Sequence, residues 1–258
     1  MTVAPVSVSI ISHGHGSMVE ALVEALAGCL SVGQIILTQN VPEPLAAVGR
    51  KHDIRIIANP APRGFGANHN AAFRVCDRPF FCPLNPDIEF DGDPFAALIE
   101  RLSAIPTVAL AAPAVVAPDG RMEDSLRPFP SVRRLVRKAL VGDPGRYAVA
   151  VGDPDFYPEW VAGMFMLFRS AAYRDLGGFD ERFFLYYEDV DVCARAWKAG
   201  MPVLACPSVA VVHDARRDSH RRLAYLRWHA RSMLRYFVKY WGRLPDVPGS
   251  GPVATKSP

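Results

Sequence analysis

The amino-acid sequence predicts an α/β fold in which a mixed, mostly parallel sheet is flanked by helices. Short apolar runs alternate with helix-like segments from the first residues onward, and turn residues separate them. That β–α–β rhythm is what parallel strands produce when crossover helices cover both faces of their sheet.

VSVSII (6–11) reads as the first buried strand, after which Ser17 and Glu20 form an S-x-x-E capping box opening a helix through Leu30. QIILTQ (34–39) and IRIIAN (54–59) are the next strands, followed by a helix around 67–76. PFFCPLN (79–85) is a strand, and Asp93-Pro94, an N-cap and N1 pair, opens a helix to about Ala104. VALAAPAVV (108–116) is strand-like. Residues 118–160 are rich in Pro, Gly, Arg and Asp and read mostly as mobile connection, with a helix at SVRRLVRKAL (131–140). VAGMFMLFR (161–169) is a strand, and Ser170 caps a short helix ending at Gly177-Gly178. VLACPSVAVVH (203–213) closes the sheet, a long Arg-rich helix runs from about Ser219 to Trp241, and 242–258 have the composition of a disordered tail.

At 258 residues, half of them hydrophobic, the chain can bury a sizeable core and is not a disordered sequence. The formal net charge of +3 singles out no partner. No apolar run approaches the roughly 20 residues of a membrane span. The N-terminus lacks the charged region of a signal peptide. The five cysteines are scattered and never in C-x-x-C spacing, which suits reduced thiols in a cytosolic protein better than a disulfide framework or zinc site.

Four constellations fall at expected strand ends, where open α/β sheets place their ligands. SHGHG (12–16), beginning at Ser12, is either a plain tight turn or a nucleotide contact. In PRGFGANHNAAF (62–73), Gly64 and Gly66 let backbone N–H groups approach an anion, and Arg63 adds charge. No G-K-[ST] follows, so it is not a P-loop. CPLNPDIEF (82–90) sets Asn85, Pro86 and Asp87 at a strand end with Glu89 two residues on. Such oxygen ligands suit Mg²⁺ or Mn²⁺, although Asn-Pro and Pro-Asp also favour a bare turn. Finally, FFLYYEDVDVCARAWKAG (183–200) brings Glu188, Asp189 and Asp191 against five apolar or aromatic residues. Asp189 could be an N-cap, but three crowded acids demand a positive partner or a metal. His213, in VVHD, is a third metal ligand or a structural histidine.

Together RGFGANHN, LNPD, GGFDERFFLYYEDVDVCARAWKAG and the late His213 resemble the family-2 glycosyltransferases, and among them the bacterial rhamnosyltransferase type, over roughly residues 5–240. The resemblance implies a GT-A fold as a single domain over 1–241, with a nucleotide-binding half to about 117 and an acceptor and catalytic half from about 118. It also implies a nucleoside-diphosphate sugar donor (dTDP- or UDP-linked), a divalent cation, inversion at the anomeric carbon, and a glycan or lipid-linked acceptor. It puts Asn85-Pro86-Asp87 on the family's D-x-D motif with Asp87 on the cation, and His213 on a late histidine that can reach the metal. Donor contacts fall to Ser12, Gln39, Arg63, Gly64, Gly66, Asn70, Asn85 and Asp87. Asp189 becomes the base and Asp191 helix-terminal support, while Gly163, Tyr187 and Glu188 lie beside the acceptor. Two departures stand out: Gln39 replaces the usual Asp at the end of the second strand, and HDARRDS lacks the glycine expected after the late His.

A nucleotidyltransferase would need a basic loop behind strand one, and SHGHGSMVE has no Lys or Arg. A non-catalytic sugar-nucleotide binder fits Gln39 but not the intact Asp87 and Glu188-Asp189. In SHRRLAYLRWHARSMLRYFVKYW (219–241), an apolar stripe of Leu223, Leu226, Ala230, Leu234, Phe237 and Trp241 accompanies a ridge of Arg227, Arg231, Arg235 and Lys239. That ridge is either a solvated face or a contact with anionic membrane lipid. The expected location is cytoplasmic, either free or peripheral at the cytoplasmic face of the inner membrane, with no nucleic-acid partner.

Overall fold

The structure is a computed structural model that describes residues 4–44, 54–142, 147–214 and 223–248. The first strand β1 (Val6–Ser12) leads through a tight turn into α1 (Ser17–Ala27), then β2 (Val32–Gln39) and β3 (Ile54–Ala58). Helix α2 (Phe65–Phe73) returns the chain to β4 (Phe80–Leu84), followed by the two-residue β5 (Ile88–Glu89), α3 (Pro94–Ala104) and β6 (Leu110–Val116). The more irregular half contributes β7 (Leu126–Arg127), α4 (Val132–Val141), β8 (Trp160–Val161), β9 (Leu167–Arg169) and α5 (Ser170–Asp175). Helix α6 (Glu188–Lys198), β10 (Val203–His213) and α7 (Leu223–Tyr240) complete it.

Eight strands form one sheet in the order β3-β2-β1-β4-β9-β6-β10-β5, and β7 pairs with β8 separately. Strands β1, β2, β3 and β4 are mutually parallel, β6 and β10 are parallel, and β9 runs antiparallel between β4 and β6. The short β5 pairs antiparallel with the end of β10, Ile88 opposite His213. One core lies between this sheet and α1 and α3, built on residues such as Ile10, Leu22 and Leu98. The other lies beneath α2, α5, α6 and α7, built on Phe81, Phe168, Tyr173 and Tyr236. Helices on both faces explain why β4 and β6 are buried at every position and carry no polar alternation.

Local chemistry departs from expectation at three helix starts. The Ser17–Glu20 capping box does not form: Gly16 is the N-cap without a side-chain cap, and α1 ends at Ala27. Instead the N–H groups of Gly14 and Gly16 donate to the two carboxylate oxygens of Glu43, at 3.4 and 3.0 Å. Ser170 does not cap α5, because its hydroxyl donates to the Arg78 carbonyl at 2.7 Å. Asp189 is not an N-cap either; that position is Tyr187. Asp93 does cap α3, accepting from the N–H groups of Phe95 and Ala96.

The expected strand 161–169 splits into β8 and β9, since Phe165 instead bridges Leu84 and Gly163 is drawn toward α6. Helix α7 turns Ser232, Tyr236 and Tyr240 inward. The cationic ridge is broken, because Lys239 pairs with Asp180 and Asp191 and Arg235 is half-buried. Residues 219–222 and 249–258, which hold the expected helix start and most of the expected tail, lie outside the described residues. Before that tail, Leu244 and Val247 pack on the second core.

Candidate active site

Strand β4 ends at Leu84, and the chain then presents Asn85, Pro86 and Asp87. The β5–β10 pairing fixes what Asp87 meets: His213 Nε2 stands 3.2 Å from its Oδ2, and His213 Nδ1 stands 2.9 Å from Glu123 Oε2. Burial alone would lower the His213 pKa, but the hydrogen bonds and charges of Asp87 and Glu123 outweigh it and hold it above its ordinary value. The other oxygen, Asp87 Oδ1, is buried with no hydrogen-bond partner. A buried carboxylate oxygen left bare is costly unless a cation meets it, so the site fits a hard divalent ion. The SHGHG turn lies within electrostatic reach, since the Asp87 charge acts on His15.

The end of β2 lies next to the end of β1, with Gln39 opposite Ser12. Gln39 Nε2 donates to the Glu43 carbonyl at 3.2 Å, and the Ser12 hydroxyl accepts from His15 N–H at 3.3 Å. The glycine-rich stretch is held from beneath by three asparagines that sequence reasoning did not single out as a group. Asn40 Oδ1 accepts from Arg63 N–H at 2.8 Å and from Asn59, which also donates to Asn68 at 2.7 Å. Asn40 and Asn68 both donate to the Arg63 carbonyl. That network shapes the Arg63 backbone and leaves its guanidinium on the surface near Glu181. No local spacing links Asn40, Asn59 and Asn68, and only long-range contact assembles them.

The glycines turn out to serve close packing. A Cβ on Gly64 would lie 2.6 Å from the Phe184 carbonyl oxygen, which accepts from Phe65 N–H at 2.9 Å, and one on Gly66 would lie 2.7 Å from Phe179 Cβ. The stretch is therefore clamped to the aromatic run that precedes the acids. Asn70 is committed to the same clamp: it accepts from Tyr173 and Phe179 N–H and donates to the Phe179 carbonyl and Glu181. This removes it from the expected donor contacts. His69 is a core residue, bonded to Ser9, with burial pushing its pKa down to about 3.

Tyr186 and Tyr187 have φ of 68° and 70°, a left-handed conformation that bulky residues adopt only when their surroundings impose it. Here the imposing element is α7. Phe184 packs on Trp228, Tyr186 and Tyr187 on His229, and Tyr187 on Tyr236, while Ser232 donates to the Leu185 carbonyl. The strained pair starts α6 so that its three acids take three different environments. Asp191 is fully buried and bonded to Arg195 at 2.8 Å, Lys239 at 2.5 Å and Tyr240 at 2.8 Å. It ties α6 to α7 and is a structural anchor, not a group that meets substrate. Glu188 is only 5% exposed, and its Oε2 has no partner. Burial first, and then the adjacent Asp189 charge, holds its carboxyl well above the usual range. The expected acceptor contact through Glu188 is therefore closed off.

Asp189 is the acid left partly open. Its Oδ1 accepts from Val190 N–H at 2.8 Å and its Oδ2 from Gly163 N–H at 3.0 Å. Burial raises its pKa, and these two hydrogen bonds together with the Arg127 charge limit the rise. Two neighbouring carboxyls thus differ: burial holds Glu188 well above the usual range, whereas backbone hydrogen bonds and the Arg127 charge oppose the rise on Asp189. A Cβ added at Gly163 would lie 3.4 Å from the Phe65 ring and 3.6 Å from Asp189 Cβ, so this residue sits between the two. The next residue, Met164, accepts from Asn85 N–H at 2.9 Å. Consecutive residues therefore join the strand end that carries Asp87 to the helix start that carries Asp189. Arg127, which the sequence did not flag, sits beside this acid, ion-paired with Asp124 at 2.7 Å.

The mixed, mostly parallel sheet flanked by helices is the GT-A fold. Residues 37–156 match the model of Glycosyl transferase family 2. The chain is thus similar to the family-2 glycosyltransferases over those residues. Rhamnosyltransferase WbbL of Escherichia coli (strain K12) is 26% identical over 246 residues, 91% of this chain and 93% of that protein. N-acetylglucosaminyl-diphospho-decaprenol L-rhamnosyltransferase of Mycobacterium tuberculosis is 29% identical over 197 residues, 69% of this chain and 64% of that protein. The solved mannosyltransferase PcManGT from Pyrobaculum calidifontis, in complex with GDP-Man and Mn²⁺, matches with a TM-score of 0.65 at 16% identity. It covers 96% of this chain and 69% of its own.

Proposed function

We propose that the chain is an inverting glycosyltransferase that moves a rhamnose-like deoxyhexose or other hexose from a nucleoside-diphosphate sugar to a hydroxyl of a glycan or lipid-linked acceptor. The observation that carries this reading is the link through Gly163 and Met164 between a bare-oxygen Asp87 and an oriented Asp189. The rhamnosyl group is supported by the names of two relatives, and the proposed donor class is a dTDP- or UDP-sugar.

Asp189 takes the proton of the acceptor hydroxyl as that oxygen attacks the anomeric carbon from the face opposite the leaving group. The bond to the nucleoside diphosphate breaks with its electron pair on the phosphate oxygen, and the sugar emerges inverted. Asp87 and His213 would hold Mg²⁺ or Mn²⁺, which when bound offsets the charge that develops on that oxygen. Among the described residues no three His, Cys, Asp or Glu side chains form a metal cage, so donor phosphates would complete the coordination. Arg63 and the SHGHG turn lie at the donor side with Ser12 and Gln39. Tyr187, held by α7, offers a ring to the acceptor sugar beside Gly163.

A thermal-shift panel of dTDP-, UDP- and GDP-sugars with and without Mn²⁺ or Mg²⁺ tests the donor assignment, since a ligand that binds only the native state raises the melting temperature. A cation-dependent rise with dTDP- or UDP-sugars is expected. No rise with any nucleotide sugar would refute a transferase role. NMR of the product's anomeric proton then checks inversion, and retained configuration would contradict Asp189 as a base.

A further inference from the structure

Helix α4 is ten residues long, and every side chain described on it from Val132 to Leu140 is exposed. Val132, Leu135, Val136 and Leu140 fall at i, i+3, i+4 and i+8, one apolar stripe, with Leu140 80% exposed. Arg133, Arg134 and Arg137 flank the stripe, and the helix contains no acidic residue. None of its described side chains joins either core. Among the described residues, no apolar neighbour covers this stripe.

Helix α7 repeats the pattern on its outer side. Leu226, Leu234, Val238 and Trp241 face solvent, the last two 73% and 72% exposed, beside the exposed Arg227 and Arg231. It too contains no acidic residue. The two helices are joined where Tyr236 of α7 donates to the Pro130 carbonyl just before α4, at 3.1 Å. Arg134 fixes the root of α4 through paired hydrogen bonds to Glu159 at 2.9 and 3.0 Å. No helix among the described residues is long and apolar enough to cross a membrane.

We propose that α4 and the outer side of α7 form one membrane-docking surface whose occupant is an anionic lipid bilayer, with the apolar stripes seated at the headgroup boundary and Arg133, Arg227 and Arg231 on the phosphates. Aliphatic stripes on helices that carry arginines and no acidic residue of their own are the composition of helices that lie in the bilayer interface. A second protein would need an acidic apolar groove of matching length, whereas a bilayer supplies both chemistries everywhere. The surface deepens the acceptor side of the proposed function and rests on that reading only for the direction of approach. The inner side of α7 packs on Phe184, Tyr186 and Tyr187, next to Asp189, so a lipid-linked acceptor would arrive at the base from the docked face.

Flotation of the full chain with vesicles tests this with neither donor nor acceptor present, so failure here leaves the transferase reading intact. The chain should float with phosphatidylglycerol vesicles and not with phosphatidylcholine alone. The triple variant Leu135→Gln, Val136→Gln, Leu140→Gln should reduce the bound fraction at least tenfold while keeping the wild-type melting temperature. Brominated lipids should quench the fluorescence that Trp241→Phe removes, which reports seating of α7 in the interface. Equal flotation of the triple variant and the wild type would mean adsorption by charge alone and would overturn the proposal. So would a dimer, seen by ultracentrifugation without vesicles, that the triple variant dissolves.

Discussion

Asp87 leaves the end of a strand with one oxygen on His213 and the other buried and bare, whereas Asp189 opens a helix with both oxygens held by backbone N–H groups. The first is short of partners and suits a cation; the second is already aimed and needs only a proton to take. Two residues beyond Asp189, Asp191 shows what an acid becomes when Arg195, Lys239 and Tyr240 surround it completely. On the proposed reading, identical side chains are separated into ligand, base and anchor by what is left unpaired on each.

The largest expected effect falls on the anchor. Asp191→Ala leaves Arg195 and Lys239 facing a buried void, and removing one member of a buried pair costs about 3–5 kcal/mol. Chemical denaturation should show that loss, and a variant as stable as the wild type would erase the contrast between Asp191 and Asp189. Next comes Asp189→Asn, nearly isosteric, which should lower turnover about a hundredfold or more with donor affinity little changed. Because burial raises the Asp189 pKa and a base must be ionised, the acid limb of the wild-type rate profile should lie above the ordinary aspartate value near 3.9. An acid limb at or below that value would contradict a desolvated base.

Gly64→Ala presses a methyl onto the Phe184 backbone and should destabilise by about 1–3 kcal/mol, the usual cost of overpacking. A neutral result in thermal unfolding would show that the glycine loop and the acid-bearing loop are not clamped. The smallest effect concerns Glu188. Its folded-state pKa lies above its unfolded value, so its contribution is fully present below the unfolded pKa and lost as pH rises through the folded one. Glu188→Gln removes that loss and should raise the melting temperature at pH 8 by a few degrees, about 2–4 °C per kcal/mol, with no gain at pH 4. A gain that did not grow with pH would place the charged form of Glu188 in a favourable setting.

The sequence revealed the sheet where strands are continuous apolar runs. VLACPSVAVVH became β10 residue for residue, and Asp93-Pro94 started α3 as its cap chemistry requires. It also revealed the acids, because three carboxylates after five apolar or aromatic residues conflict with burial. The resemblance set Asp191 apart as helix-terminal support, but not its burial against Lys239 and Tyr240 from a helix nearly fifty residues away, nor the Glu43 carboxylate that replaced the Ser17 cap. VAGMFMLFR looked like one strand because its composition is uniform. Its break at Gly163 follows from a bond to Asp189 that no local pattern encodes.

The central claim is that Asp87 binds the cation and Asp189 moves the proton. Calorimetric titration of Mn²⁺ into the protein with saturating nucleoside diphosphate tests it on Asp87→Asn and Asp189→Asn side by side. The account predicts that Asp87→Asn abolishes the Mn²⁺-dependent heat, while Asp189→Asn binds Mn²⁺ as the wild type does. Undiminished Mn²⁺ binding by Asp87→Asn, or its loss in Asp189→Asn, would contradict the division of the two acids.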